Sequence, residues 1–144
     1  MSSVRVFKFG GASVKNAEAV KNVVSVINLF EGEKICVVVS AMGKTTNAME
    51  EIARAYWEDN TDGYIEAVNE RRDFHYNILS ELFENKQHEV YNEVKHIFDQ
   101  LEQKAQRPIS DNFDFEYDQI VSLGEILSTK IISAYLKDSG QKIK

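Results

Sequence analysis

A chain of 144 residues with 43% hydrophobic and 28% charged residues is long enough to bury a real core and has the composition of an ordinary globular protein. Its net charge of −6 and pI near 5.1 argue against a nucleic-acid or anionic-membrane surface. The single cysteine, Cys36, excludes an intrachain disulfide and points to a reducing compartment, and no apolar run is long enough to span a bilayer. The N-terminus has no apolar signal core, so the cytoplasm is the expected location. No linker, repeat or low-complexity tract divides the chain.

Val4 to Phe9 is apolar on both faces apart from Arg5 and Lys8, the pattern of a strand buried on both sides of a parallel sheet. Lys8 falls at its carboxyl end, where open α/β sheets bind ligands. Gly10-Gly11 follows at once and lets the backbone come close to a bulky anion. Strand, lysine, paired glycine and the start of the next helix fit a phosphate cradle; they fit equally a tight turn with an incidental lysine. Asn16 is the candidate N-cap of that helix, with Glu18 in its first turn. Val20, Val23, Val24, Ile27 and Phe30 form its apolar stripe, and Gly32 is expected to end it. Ile35 to Val39 then reads as a second buried strand. Strand, helix and strand at this length predict a βαβ unit with parallel strands and a right-handed crossover.

The second strand leads into Ser40-Ala41-Met42-Gly43-Lys44-Thr45-Thr46-Asn47. Gly43-Lys44-Thr45 looks like a P-loop ending but lacks its first glycine, because Val38 stands five residues earlier. What remains is a small, hydroxyl-rich loop suited to a carboxylate or phosphate, or simply a turn with capping hydroxyls. Asn47 with Glu50 predicts a capping-box-like helix start. Beyond a polar break at residues 58–63, two amphipathic patterns carry an αα-hairpin. One runs from Tyr64 to Phe83 and the other from Val90 to Leu101. Their charges read as solvated faces, and His75, His88 and His96 lack metal-site spacing. After Pro108 a last helix is expected over about 113–138, containing Ser122-Leu123-Gly124-Glu125-Ile126-Leu127-Ser128. Glycine inside a helix costs about 1 kcal/mol against alanine, so Gly124 is either tolerated or wanted for close approach. Glu125 beside it is either a ligand for an ammonium group or an exposed glutamate. Gly140 ends this helix, and Gln141 to Lys144 looks like the opening of a third strand. A two-stranded parallel sheet is a poor candidate for independent stability, so the chain is expected to be a fragment or to lean on a partner.

Taken together, Lys8-Phe9-Gly10-Gly11-Ala12-Ser13-Val14, the Val39–Asn47 segment and the Ser122–Ser128 segment resemble, in order and spacing, the N-terminal part of the aspartate kinases, within the amino acid kinase family. The resemblance implies an α/β fold: the N-terminal part of a three-layer parallel-sheet kinase domain with a helical hairpin insertion. The βαβ core would occupy about 4–57, the helical excursion about 59–106 and the motif-bearing helix about 113–138. It implies transfer of a phosphoryl group from ATP to the side-chain carboxylate of L-aspartate, the entry step to lysine, threonine and methionine. Carried over residue by residue, Lys8 would be catalytic, and Lys8, Phe9, Gly10 and Gly11 would bind the ATP phosphates. Ser40 and Thr46 would contact aspartate, and Glu125 would hold its α-ammonium. Mg²⁺ would accompany ATP, with no ligand assignable here, and the full-length enzyme would be a homo-oligomer. The family's usual KFGGTSV has threonine where this chain has Ala12, which removes one hydroxyl near the site. The nucleotide-binding half and ACT regulatory domains of the family are absent, so this stretch alone is not expected to catalyse efficiently. Two other readings are another carboxylate or carbamate kinase of the same fold, and a non-catalytic α/β interaction module.

Overall fold

A computed structural model describes residues 3–143. Strand β1 (Val4–Phe9) is followed by a short 3-10 turn over Gly11–Val14, helix α1 (Ala17–Asn28) and strand β2 (Lys34–Val39). The two strands pair in parallel, with Val4 opposite Lys34 and Phe9 opposite Val39. Helices α2 (Thr45–Trp57), α3 (Thr61–Leu82), α4 (Glu89–Lys104), α5 (Phe113–Val121) and α6 (Leu123–Asp138) complete the chain. The βαβ unit and the helical hairpin are therefore present as the periodicities predict.

Helices cover one face of the sheet. Phe7, Phe9, Ile35, Val37 and Val39 pack against a continuous apolar core built from all six helices. Strand alternation turns Val6, Lys8, Cys36 and Val38 the other way, and that face is open among the described residues, with Val6 63% and Val38 45% exposed. The expectation of strands buried on both sides is thus corrected. The apolar residues are present on both faces, but the described residues supply a layer for only one. Cys36 is exposed as a result. The sheet holds two strands among the described residues; Gln141 to Ile143 forms no strand, and Lys144 lies outside them.

The helix ends show which local signals won. Asn16 caps α1, its side chain accepting the Ala19 N–H at 2.9 Å. The helix stops at Asn28 rather than at Gly32. Gly32, with φ +86°, instead serves a separate turn closed by the Glu33 N–H on the Phe30 carbonyl at 3.1 Å. Helix α2 begins at Thr45, two residues before the predicted capping box. Glu50 is used elsewhere, accepting a 2.7 Å hydrogen bond from the Tyr117 hydroxyl of α5. The single helix expected over 113–138 is interrupted at Ser122. Gly140, with φ +94°, closes α6 in a Schellman arrangement, its N–H on the Lys137 carbonyl and that of Gln141 on Leu136, both at 3.1 Å.

The hairpin is fastened by its interior. The Tyr64 hydroxyl donates to the Leu101 carbonyl at 2.7 Å, and burial raises its pKa above the ordinary tyrosine value. His75 is fully buried, as a helix-face residue rather than a ligand. Its Nδ1 lies 2.8 Å from the Arg71 carbonyl, while Nε2 is buried without a partner. Buried Glu116 on α5 pairs with Lys104 at the end of α4.

Candidate functional site

The site is built where β1 and β2 end. The Ser40 N–H donates to the Phe9 carbonyl at 2.9 Å, extending the strand pairing by one step. The Gly43 N–H donates to the Gly11 carbonyl at 3.0 Å, so the two loops are joined directly. This contact explains the second glycine. A Cβ added at Gly11 would stand 2.8 Å from the Gly43 carbonyl oxygen and 3.0 Å from that of Ala41. Gly10 differs: its backbone is extended, and the near neighbour of an added Cβ would be the Lys8 Nζ at 3.8 Å. Gly11 is therefore glycine for packing, and Gly10 keeps open space beside the lysine.

Lys8 is exposed, on the open face of the sheet, and makes no ion pair or hydrogen bond among the described residues. Its ammonium curls back toward Gly10, so an anion held at the strand end would meet a positive charge with no competing carboxylate. Phe9 contributes differently from the lysine. Its ring is half-buried, stacks on Phe7 at 6.3 Å between centroids and packs into the core; only its backbone belongs to the loop.

The second loop sorts its hydroxyls. Thr45 is fully buried, its Oγ1 donating to the Met42 carbonyl at 2.5 Å. Ser40 and Thr46 are half-buried, and their hydroxyls carry no hydrogen bond among the described residues. Thr46 lies in the first turn of α2, where backbone N–H groups are also free to receive a carboxylate. Of the two threonines, Thr46 is the one whose hydroxyl is uncommitted among the described residues.

The third segment arrives through its glycine. A Cβ at Gly124 would stand 3.2 Å from the Ala41 Cβ, 3.3 Å from the Thr45 Cγ2 and 3.7 Å from the Met49 Cγ. The start of α6 is thus pressed onto the second loop and onto α2. Glu125, the next residue, is exposed and has no ion-pair partner among the described residues. Gly11, Ala41–Thr45 and Gly124 form an unbroken chain of contacts; Gly10, Ser40, Thr46 and Glu125 adjoin it in sequence, while Lys8 reaches only as far as Gly10.

Two features escaped the sequence pattern. Arg71 and Phe74, on α3, lie behind the second loop: Arg71 Nη1 is 3.4 Å from Thr45 Oγ1, and the Phe74 ring reaches Gly43. Their i, i+3 spacing was the available signal, but an arginine in a charged amphipathic helix reads as solvated. No group of three or more His, Cys, Asp or Glu that could hold a metal ion occurs among the described residues.

In this parallel βαβ unit the strand ends, the glycine loops and the helix starts meet at the carboxyl edge of the sheet, the edge at which open α/β sheets generally place their ligands. A model of the amino acid kinase family matches residues 3–144, and the chain belongs to that family. It is 36% identical over 146 residues to aspartokinase 2, chloroplastic, of Arabidopsis thaliana, and 35% identical over 144 residues to aspartokinase 1, chloroplastic, of the same plant. Each alignment covers 96% of this chain but 25% and 24% of those relatives, so the chain spans about a quarter of their length. The fold is similar to that of Escherichia coli aspartokinase III in complex with aspartate and ADP, with a TM-score of 0.72 and 24% identity over 95% of this chain and 29% of that one. It is also similar to Clostridium acetobutylicum aspartate kinase, with a TM-score of 0.69 and 21% identity over 94% of this chain and 29% of that one.

Proposed function

We propose that the protein carrying this chain phosphorylates the side-chain carboxylate of L-aspartate with ATP, giving 4-phospho-L-aspartate and ADP. In this reading a carboxylate oxygen of aspartate attacks the γ-phosphorus. The new O–P bond forms as the bond from that phosphorus to the β–γ bridging oxygen breaks, and ADP leaves with the electron pair. The acceptor is already an anion at neutral pH, so no strong general base is needed. That agrees with a site offering a lysine, glycines, hydroxyls and one glutamate, because phosphoryl transfer depends mainly on positioning and charge stabilisation. Lys8 neutralises charge on the transferring group, and the Gly10-Gly11 backbone bears on phosphate oxygens. Ser40 and Thr46 contact the amino acid, and the Glu125 carboxylate accepts from its α-ammonium. Mg²⁺ would travel with the nucleotide. The product's place at the entry to lysine, threonine and methionine synthesis, a homo-oligomeric assembly and a cytoplasmic location belong to the same reading.

The observation that supports it is the contact chain from Gly11 through Ala41 and Thr45 to Gly124, which brings the three motif segments against one another. The test is to incubate the full-length protein with ATP and a panel of carboxylic amino acids, trapping any acyl phosphate with hydroxylamine. An aspartate-dependent hydroxamate with matching ADP release is the expected result. A signal with a different carboxylate would move the protein to another kinase of the family, and no signal with any would remove the enzymatic reading.

A further inference from the structure

The second loop is held from behind by α3. Thr45 is fully buried, and its hydroxyl is shared between the Met42 carbonyl and the Arg71 guanidinium. Arg71 lies over the Phe74 ring at 4.6 Å, and that ring is 3.5 Å from where a Cβ on Gly43 would be. Gly43 has φ +56°, a conformation that side chains other than glycine rarely adopt, so the loop turns sharply at the point where Phe74 closes on it. The Arg71 carbonyl is itself held by His75 at 2.8 Å, and the His75 ring packs edge-on against Phe74. Arg71 Nε is buried without an acceptor. Arg71 is half-buried, and leaving its Nε N–H buried and unmet costs free energy that its other contacts must offset.

We propose that Arg71 is a positioning residue for the amino-acid end of the site. Acting through Thr45, and with Phe74 through Gly43, it fixes the turn from which Ser40, Thr46 and the first N–H groups of α2 are presented. The inference rests on the aspartate reading above and extends it to the helical hairpin, which carries no motif residue. The motif-bearing side chains are exposed or half-exposed and have no bonds of their own to hold them. Their placement therefore depends on backbone geometry, and Arg71 is a charged group that reaches this segment through the Thr45 hydroxyl, which in turn donates to the Met42 carbonyl. A displacement of the order of an ångström is enough to matter at such a site.

The experiment uses the full-length protein with Arg71→Met and Arg71→Lys. In Arg71→Met the KM for aspartate should rise about ten- to a hundredfold while the KM for ATP stays within about twofold. Arg71→Lys, which keeps a cation within reach of Thr45, should recover part of the loss. Amide hydrogen exchange should speed up at Gly43 to Asn47 in Arg71→Met, and not in α4. An unchanged KM for aspartate overturns the inference, as does a loss shared equally by both substrates that tracks a fall in melting temperature. If the wild-type protein turns over no aspartate, the functional reading fails by itself. The exchange at Gly43 to Asn47 then decides whether Arg71 orders the loop, and no change there overturns the inference too.

Discussion

Gly124 and Ala41 meet with almost no room between them: a methyl group on Gly124 would stand 3.2 Å from the Ala41 Cβ. Both residues are buried, and the contact seats the α6 start on the second loop. Replacing Gly124 by valine should lower stability by about 1–3 kcal/mol, the usual cost of overpacking a tight contact. It should also weaken aspartate binding, because Glu125 would be pushed from the loop. Urea unfolding and titration calorimetry would check the two effects separately, and an unchanged midpoint would show that the contact can relax.

The paired glycines should behave differently. Gly11→Ala places its methyl against two backbone carbonyls, at 2.8 and 3.0 Å, which no rotamer change relieves. A loss of about 1–3 kcal/mol in the unfolding free energy is expected. Gly10→Ala meets only the flexible tip of Lys8 and should leave stability nearly unchanged while slowing phosphoryl transfer. Equal losses of stability for the two variants would contradict this division.

Lys8 and Glu125 are exposed and make no hydrogen bond or ion pair among the described residues, so Lys8→Ala and Glu125→Ala should fold like the parent. Lys8→Ala should cut turnover by about a hundred- to a thousandfold. Glu125→Ala should raise the KM for aspartate about ten- to a hundredfold, the worth of a hydrogen bond between charged groups, with little change for ATP. Steady-state kinetics on the full-length protein give both numbers. A Glu125 effect confined to ATP would place that carboxylate elsewhere.

His75 should give the stability a measurable pH dependence. Burial pushes its pKa down to about 4 from an ordinary value of 6.5, with the Arg71 guanidinium adding to the fall and the bond to the Arg71 carbonyl opposing it. The folded protein therefore holds the ring neutral, while the unfolded chain takes up a proton below pH 6.5. The stabilisation is fully present above pH 6.5 and is lost progressively down to about pH 4. Its full size is about 3 kcal/mol. Denaturant unfolding at several pH values should show this slope, and His75→Phe should flatten it.

The sequence made the βαβ unit, the hairpin and the Asn16 cap legible because each rests on a local pattern: β-branched runs, a 3.6-residue stripe, a polar residue before it. It misled where a tertiary contact outbid a local one. Asn47 and Glu50 have the spacing of a capping box, but Glu50 is taken by Tyr117, and the helix starts at Thr45 after Lys44 with no side-chain cap. Val6 and Val38 are apolar, and hydrophobicity alone does not say whether a covering layer is present. The candidate site residues are legible only together: each stretch alone fits an ordinary turn or an exposed glutamate, and it is the order and spacing of the three segments, resembling the aspartate kinases, that singles them out. Arg71 is not legible even so, since what distinguishes it is the buried threonine beside it, which lies 26 positions away.

The open face of the sheet bears on how the polypeptide behaves in a tube. β1 and β2 are both edge strands among the described residues, and Val4, Val6 and Val38 stand exposed along them. Such a surface is a template for pairing with another molecule of the same kind. Solutions of this 144-residue polypeptide should therefore cloud or self-associate as concentration rises, and faster in high salt, where screening weakens the mutual repulsion of a net charge of −6.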